Sequence, residues 1–281
     1  ARKPTSGPAV LSWAAMATPA GSLLAVARDR ARTVVTRARA IAPLRLLCPA
    51  NPGPAAWVYQ ASLGGGLVGR DDVALAVEVG AGARLLLTSQ ASGKVYRAAT
   101  ARSALDVDVA DAGVIVAWPD PIACFAGAAL AQRQRLRLAA SAGAIVVDAW
   151  TAGRIAHGER WAFAALELAT AIEVAGAPVI ADATTIVPAH GALAARMTGA
   201  LAFATVFVVG PPVAAAAAAI VAALAARPPT QRPWVAASAW PWGCVVRLAA
   251  PTTAALTAEL AALIGPHVRA VLGADPLTRK W

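Results

Sequence analysis

Three segments of this chain share one plan: EVGAGARLLL at residues 78–87, VADAGVIVAW at 109–118 and LAASAGAIVVDAW at 138–150. Each segment ends one apolar strand, turns through small residues and a glycine, and starts a second apolar strand. The turn glycines, Gly82, Gly113 and Gly143, are 31 and 30 residues apart. Such a repeat is typical of stacked β layers, in which each layer buries a face against the next. Similar hairpins in an ordinary sandwich would also produce it, but a doubly wound nucleotide fold would not.

The chain around these repeats is predicted to be mainly β, with helices only near its end. Residues 1–210 alternate apolar strands with turns of glycine, proline and small residues. A helix is expected near 212–227, where a proline lies in the first turn and an arginine at the end. A second helix is expected near 252–272, with Thr252 or Thr253 as its cap and with Pro266 kinking or dividing it. The stretch between the two helices predicts a further strand.

The glycine-rich stretch GGGLVG at 64–69 matches G-x-G-x-x-G, the pattern of dinucleotide-binding loops. That pattern binds phosphate only where a helix N-terminus follows it. Here the period-two alternation of VALAVEV, residues 73–79, predicts a strand instead. No acidic residue follows at the distance where a ribose would be held. The stretch is therefore interpreted as a glycine turn that lets two backbones pass closely.

Composition restricts the class of protein. The 281 residues are 58% apolar, much of it alanine, and carry a net charge of +10. Arg28, Arg30 and Arg32 alternate as if on one face of a strand, yet no basic and aromatic interleaving or nucleic-acid module accompanies them, so a nucleic-acid partner is not expected. The three cysteines are far apart in sequence and odd in number, which favours a reducing, cytoplasmic compartment over a disulfide framework. The uncharged run 197–226 is interrupted by Gly-Pro-Pro, which favours a strand and a buried helix over a membrane span.

The carboxylates are few, and some lie where a buried strand would normally admit no charge. Asp148 interrupts AIVVDAW, Asp182 interrupts PVIADATTIV, and Glu159 lies in GRIAHGERW. A buried carboxylate needs hydrogen bonds, a cation or a proton. Two interpretations stay open: structural ion pairs with Arg154 or Arg160, or a wet interior passage for a divalent cation, which carboxylates bind and release readily. No catalytic motif supports nucleophilic catalysis by serine or cysteine with a histidine, although the spacing of these residues leaves it open.

The order and spacing of several motifs resemble the urease accessory proteins called UreD or UreH. The resemblance runs from about Arg37 to Trp281. It is carried by GGGLVGRDD, LLLTSQASGKVYRA, WPDPIACFAGAALAQRQ, VVDAWTAGRIAHGERWAF, GALAFATVFVVGPP, CVVRLAAPTTAAL and PLTRKW. Arg70 stands where many members have a second glycine, which narrows the conformations open to that loop.

The resemblance implies a single domain over residues 1–281, with β-helix-like stacked strands and two helices. It implies a non-catalytic scaffold that binds apo-urease, UreF and the GTPase UreG, holds no tight cofactor and assists nickel in transit. Asp71, Asp148, Glu159 and Asp182 fall at acidic positions of the family pattern, and we expect them to border a water-filled route for nickel. Lys94, Tyr96 and Arg97 also match the family pattern. Their role is open between loop packing and contact with a partner. The alternative is a β-rich binding domain or enzyme of this architecture without a urease role.

Overall fold

The computed structural model describes residues 21–51, 53–228 and 232–276, and nearly half of them are in strands. The strands are β1 Ser22–Asp29, β2 Arg32–Arg39, β3 Leu44–Leu47, β4 Ala56–Ser62, β5 Asp72–Val79, β6 Arg84–Ser89, β7 Lys94–Val95, β8 Ala101–Val109, β9 Val114–Trp118, β10 Ile122–Cys124, β11 Ala129–Leu138, β12 Gly143–Thr151, β13 Ala165–Val174, β14 Ala177–Ile186, β15 Ala202–Val209, β16 Trp234–Trp240 and β17 Gly243–Ala250. The helices are α1 Leu193–Arg196, α2 Ala214–Ala225 and α3 Thr253–Leu272. The predicted mainly β class with late helices is confirmed.

The strands form two sheets that lie face to face. The first sheet has the order β14-β13-β11-β8-β5-β1-β2, and the main path of the second is β16-β17-β15-β12-β9-β6-β4-β3. The central neighbours β5, β8, β11 and β13 are parallel in the first sheet, as are β4, β6, β9 and β12 in the second. Parallel neighbours require crossovers, and here each crossover is a strand of the other sheet. The chain therefore winds as a β solenoid, as the repeat predicted.

Each repeated segment is the arch that carries the chain from one sheet to the other. The arches join β5 to β6, β8 to β9 and β11 to β12, and they also stack on one another. The amide of Gly82 donates to the Asp111 carbonyl at 2.9 Å, and the amide of Gly143 donates to the Gly113 carbonyl at 2.9 Å. Gly82 has a φ of +63°, a conformation that glycine adopts at little cost. The spacing of the repeat is thus the length of one solenoid turn.

Apolar side chains fill the space on both faces of the second sheet. Between the sheets, one cluster near the arches includes Leu75, Val107 and Phe207, and another at the opposite end includes Leu130 and Trp150. The other face of the second sheet packs against α2 and α3, and its buried members are the larger part of a third cluster. Burial on both faces explains why strands such as β12 are continuously apolar rather than alternating.

The two late helices cover the second sheet. Thr252 caps α3, since its hydroxyl accepts the amide of Ala255 at 3.1 Å. Of the two effects expected of Pro266, kinking or dividing the helix, division does not occur: α3 runs to Leu272, and its buried face, including Ile264 and Val268, packs against the sheet. Within the described residues, α3 is also the one helix long and apolar enough to cross a membrane. Its apolar residues pack on β15, β17 and β6, as expected of a core helix.

The glycine-rich stretch connects β4 to β5, so a strand follows it as predicted. A Cβ added to Gly66 would lie 2.6 Å from the Lys94 carbonyl oxygen, and one added to Gly69 would lie 2.1 Å from the Cβ of Ala98. Both separations are too short for any side chain. The interpretation as a close backbone crossing is confirmed. Arg70 adopts a φ of +69°, in the left-handed region, which glycine enters more easily than arginine does.

The interpretation of Arg28, Arg30 and Arg32 as one strand face is wrong. β1 ends at Asp29 and β2 begins at Arg32, so the three arginines surround the turn of an antiparallel hairpin. Arg30 has a φ of +52° in that turn, and its carbonyl accepts a hydrogen bond from Arg28 Nε at 3.0 Å. A period-two pattern across a tight turn looks the same as one along a strand, which is why the sequence misled.

Candidate functional site

Polar side chains interrupt the apolar interior between the two sheets. They occupy two rows that face each other, and each row crosses three neighbouring strands in register. The row on the first sheet is Gln134 of β11, Thr170 of β13 and Asp182 of β14, with Gln132 beside it. The row on the second sheet is Asp148 of β12, Thr205 of β15 and Arg247 of β17. We call these seven residues the polar layer.

Hydrogen bonds and one ion pair join the members of the polar layer. Gln132 Nε2 donates to Asp148 Oδ1 at 3.0 Å, across the space between the sheets. Arg247 pairs with Asp182, also across that space, and its second amino group donates to Thr205 Oγ1 at 3.4 Å. The layer lies between the two apolar clusters that fill the space between the sheets, so this part of the interior is lined by polar rather than apolar side chains.

Asp148 is the most buried carboxylate of the layer. Only 8% of the residue is exposed. Burial raises the pKa of its carboxyl to about 6, and the negative charge of Asp182 also raises it, while hydrogen bonds from Gln132 and Gln134 act in the opposite direction. Among the described residues, no cation forms an ion pair with Asp148. Near neutral pH this carboxylate therefore holds a charge that the protein has not balanced.

A cleft between the sheets leads toward the layer from the opposite edge. Its volume is about 500 Å³. Its walls come from both sheets and include Leu44, Ser89 and Ser103, and it ends at Gln132 and Gln134. Since Gln132 contacts Asp148 directly, the cleft and the buried carboxylate are separated by one amide side chain. The polar layer thus lies between this cleft and the opposite edge, where Asp182 pairs with Arg247.

The structure brings Asp148 and Asp182 together in the polar layer. Asp71 instead makes hydrogen bonds within and beside the glycine-rich loop. Asp71 Oδ2 accepts the amide of Val68 at 2.7 Å, and the backbone carbonyl of Asp71 accepts the amide of Arg102 at 2.7 Å. These bonds close the glycine-rich loop just before β5. Asp71 does not line the cleft described above.

Glu159 is likewise used within its own loop. It pairs with Arg154, and its other oxygen accepts the amide of Ala126 at 3.2 Å. The Arg154 guanidinium, followed by the Ala126 amide, lowers the pKa of this carboxyl below its usual range. Arg154 also lies over the Phe125 ring, 4.7 Å from its centroid. Of the two ion-pair partners considered from the sequence, Arg154 is the one observed.

The segment GKVYR contributes both to the cleft and to loop packing. Lys94 lines the cleft, and it belongs to β7, which pairs with β10. Tyr96 packs edge-on against Phe125, with ring centroids 5.1 Å apart. Arg97 lies against Gly127, where an added Cβ would come within 3.1 Å of its side chain. Packing therefore accounts for Tyr96 and Arg97.

The chemistry of the layer suits weak binding of a cation. Carboxylate, amide and hydroxyl oxygens are ligands for divalent ions, and two carboxylates lie close enough to influence each other. Within the described residues there is no group of three or more histidine, cysteine or acidic side chains that could hold a metal firmly. His157, His190 and His267 lie in loops or on α3, away from the layer's strands. The layer therefore offers oxygen ligands and contains no histidine that could act as a base.

Sequence reasoning missed the partners of Asp148. Gln132 and Gln134 did carry a signal, because AQRQRL is polar on both faces of a strand that lies inside a sheet. Thr205 and Arg247 carried none beyond single polar residues within AFATVFVV and CVVRLAA. Their placement depends on the pairing of β12, β15 and β17, which no local pattern reveals.

Comparisons with known proteins match this chain to one family. The family model "UreD urease accessory protein" matches residues 20–281. A urease accessory protein UreD of Sorangium cellulosum (strain So ce56) is 42% identical over 263 residues, covering 92% of this chain and 83% of that protein. One from Anaeromyxobacter sp. (strain Fw109-5) is 40% identical over 90% of this chain and 87% of its own. Urease accessory protein D of Oryza sativa subsp. indica is 30% identical over 95% and 97%.

The resemblance inferred from the motifs is thereby confirmed over nearly the full length of the chain. The relatives are named as accessory proteins rather than as enzymes, which supports a role in urease maturation. From its family match, the similarity of its relatives and its two-sheet solenoid, this chain belongs to the UreD urease accessory protein family.

Proposed function

We propose that this chain is a non-catalytic scaffold that binds apo-urease together with UreF and UreG, and that nickel bound for urease passes through the polar layer. Nickel is the cargo here, and GTP belongs to UreG. The observation that carries the proposal is the position of Asp148 and Asp182, two interacting carboxylates inside a β solenoid, behind a cleft that ends at Gln132 and Gln134. Family membership supports the partners.

The ligand types favour transit over storage. A firm nickel site would use imidazole or thiolate ligands, whereas carboxylate and amide oxygens suit ions that exchange readily. Asp148 supplies negative charge where no cation balances it, so an arriving divalent ion gains from entering the layer. The neutral amides of Gln132 and Gln134 provide oxygen atoms without adding charge that would hold the ion back.

The three cysteines are free, with Cys124 and Cys244 buried, which fits action in the reducing cytoplasm. Burial also raises the pKa of the Cys124 thiol to about 12, so this thiol is not ionised at neutral pH. Carboxylates rather than thiolates therefore carry the metal chemistry of the proposed route.

The test joins a binding measurement to a nickel measurement. Cells that express the urease system with this chain, or with Asp148→Ala or Asp182→Ala, are lysed, and the complex is captured on tagged UreF. We expect both variants to retain apo-urease, UreF and UreG while nickel per urease active site falls. Retained complexes with full nickel content would exclude the two carboxylates from the route. Failure of the wild-type chain to capture UreF and apo-urease would favour the alternative, a β-rich domain without a urease role.

The two loop carboxylates enter the same test separately. Asp71→Ala and Glu159→Ala remove hydrogen bonds that close loops, so the fold of each variant is first checked by circular dichroism. Lowered nickel content with an intact complex would extend the route to these loops. Unchanged nickel content would limit Asp71 and Glu159 to a structural part.

A further inference from the structure

Arg247 is the single cation of the polar layer, and its position relative to the two carboxylates is specific. It lies on β17 of the second sheet, in register with Thr205, which is in register with Asp148. Its ion-pair partner Asp182 lies on β14 of the first sheet. The pair therefore connects the two sheets at the edge opposite the cleft. Arg247 stands between solvent and the carboxylates.

Exposure decreases from Arg247 inward. The Arg247 side chain is 57% exposed and the Asp182 side chain 23%, whereas Asp148 is 8% exposed. A guanidinium that is more than half in water can turn away from its partner at little cost, since exposed ion pairs contribute little stability. The Asp182 side chain is shorter than that of Arg247 and less exposed, so it has less freedom to turn into solvent.

We infer that Arg247 acts as an exchangeable counterion: it occupies the cation position at Asp182 while the layer is empty, and a divalent ion leaving or entering the layer displaces it. This inference rests on the proposed function and adds a residue to it. No bond is made or broken; one cation replaces another at a carboxylate. The guanidinium lowers the affinity of the layer for the ion, because the ion must compete with it. Such competition keeps the cargo from being retained.

The test measures nickel binding by the purified full-length chain, using Ni²⁺ alone and equilibrium dialysis near neutral pH. Arg247→Gln removes the competing charge, and we expect Ni²⁺ to bind about fivefold more tightly, the order of magnitude of one exposed ion pair. Arg247→Lys keeps the charge and should bind as the wild type does. Arg135→Gln is the matched control: Arg135 pairs with Glu173 on the outer face of the first sheet and is 44% exposed. This control should not tighten binding.

The gain in affinity must also depend on Asp182. Adding Asp182→Asn to Arg247→Gln should abolish the gain. A gain that survives this addition, an Arg247→Gln affinity within about twofold of the wild type, or an equal gain in Arg135→Gln, would each overturn the inference. The proposed function fails separately. If Asp182→Ala leaves nickel loading of urease intact while Arg247→Gln still tightens binding, cation exchange at Asp182 stands and the delivery route does not.

Discussion

Asp148→Asn should make the protein more stable, and the gain should grow as the pH rises. Burial raises the pKa of this carboxyl to about 6, from 3.8 in the absence of perturbation. The folded state therefore binds the proton more tightly than the unfolded state does. Between these two pKa values, the free energy of unfolding of the wild type falls as pH rises, and it levels off above the folded pKa.

The magnitude follows from the two pKa values. Relative to a permanently neutral side chain, the ionisable Asp148 lowers the free energy of unfolding by about 2 kcal/mol at about pH 5 and by about 3 kcal/mol at about pH 7.5. Asparagine has nearly the same size, and its carbonyl can still accept the hydrogen bond from Gln132. The stability difference between variant and wild type should thus increase by about 1 kcal/mol between these pH values.

Urea unfolding at both pH values, followed by tryptophan fluorescence, measures this difference. Trp150 is a suitable reporter because it stacks on Phe203 within the interior, with ring centroids 4.3 Å apart. Other titrating groups affect variant and wild type alike and cancel in the difference. An equal stability difference at the two pH values would refute the reasoning, since it would mean that Asp148 titrates alike in the folded and unfolded states. A less stable variant at the higher pH would refute it as well.

Two further predictions concern the scaffold. Gly243→Ala should destabilise the protein by more than about 3 kcal/mol, since the added Cβ would lie 1.8 Å from the Val208 carbonyl oxygen. Gly176 also has a positive φ, +78°, but there is open space around it, so Gly176→Ala should cost only about 1 to 2 kcal/mol. Thermal denaturation compares the two, and equal losses would contradict the steric account. Ile264→Ala should lower the free energy of unfolding by about 2 to 5 kcal/mol because α3 buries this side chain fully; chemical denaturation showing a loss below 1 kcal/mol would mean that α3 contributes little to the core.

The fold could be predicted because its signals are local. Gly82, Gly113 and Gly143 mark arches that each connect neighbouring strands, and the apolar runs beside them must be buried wherever they lie. Each sequence repeat corresponds to one turn of the solenoid, and stacking such units produces the fold. The repeat therefore predicts most of the topology. The helix bounds were also close, since caps such as Thr252 are read from a few residues. Pro266 does not divide α3, because packing against the sheet outweighs the local helix-breaking tendency of proline.

The site could be predicted only in part, because it is not local. Asp148 and Asp182 were identifiable as charges within apolar strands, but their proximity depends on the pairing of β11, β13 and β14 and on the second sheet above them. Arg247 and Asp182 are 65 residues apart in sequence. The expectation that Arg154 would pair with a carboxylate was met at Glu159 through a contact only five residues apart. Short-range pairs were accessible to sequence reasoning, and cross-sheet pairs were not.

Glu159 and Asp148 differ in how their charges are balanced. Glu159 has an arginine partner and a backbone amide, so its charge is balanced and it supports a loop. Asp148 has neutral amides and a neighbouring carboxylate, so its charge opposes folding at neutral pH. Stability alone would be better served there by asparagine, which keeps the hydrogen bond to Gln132. A carboxylate that weakens the fold and has no ion-pair partner among the described residues is what the proposed transit of a cation would use, and this conflict between stability and charge distinguishes Asp148 from Glu159.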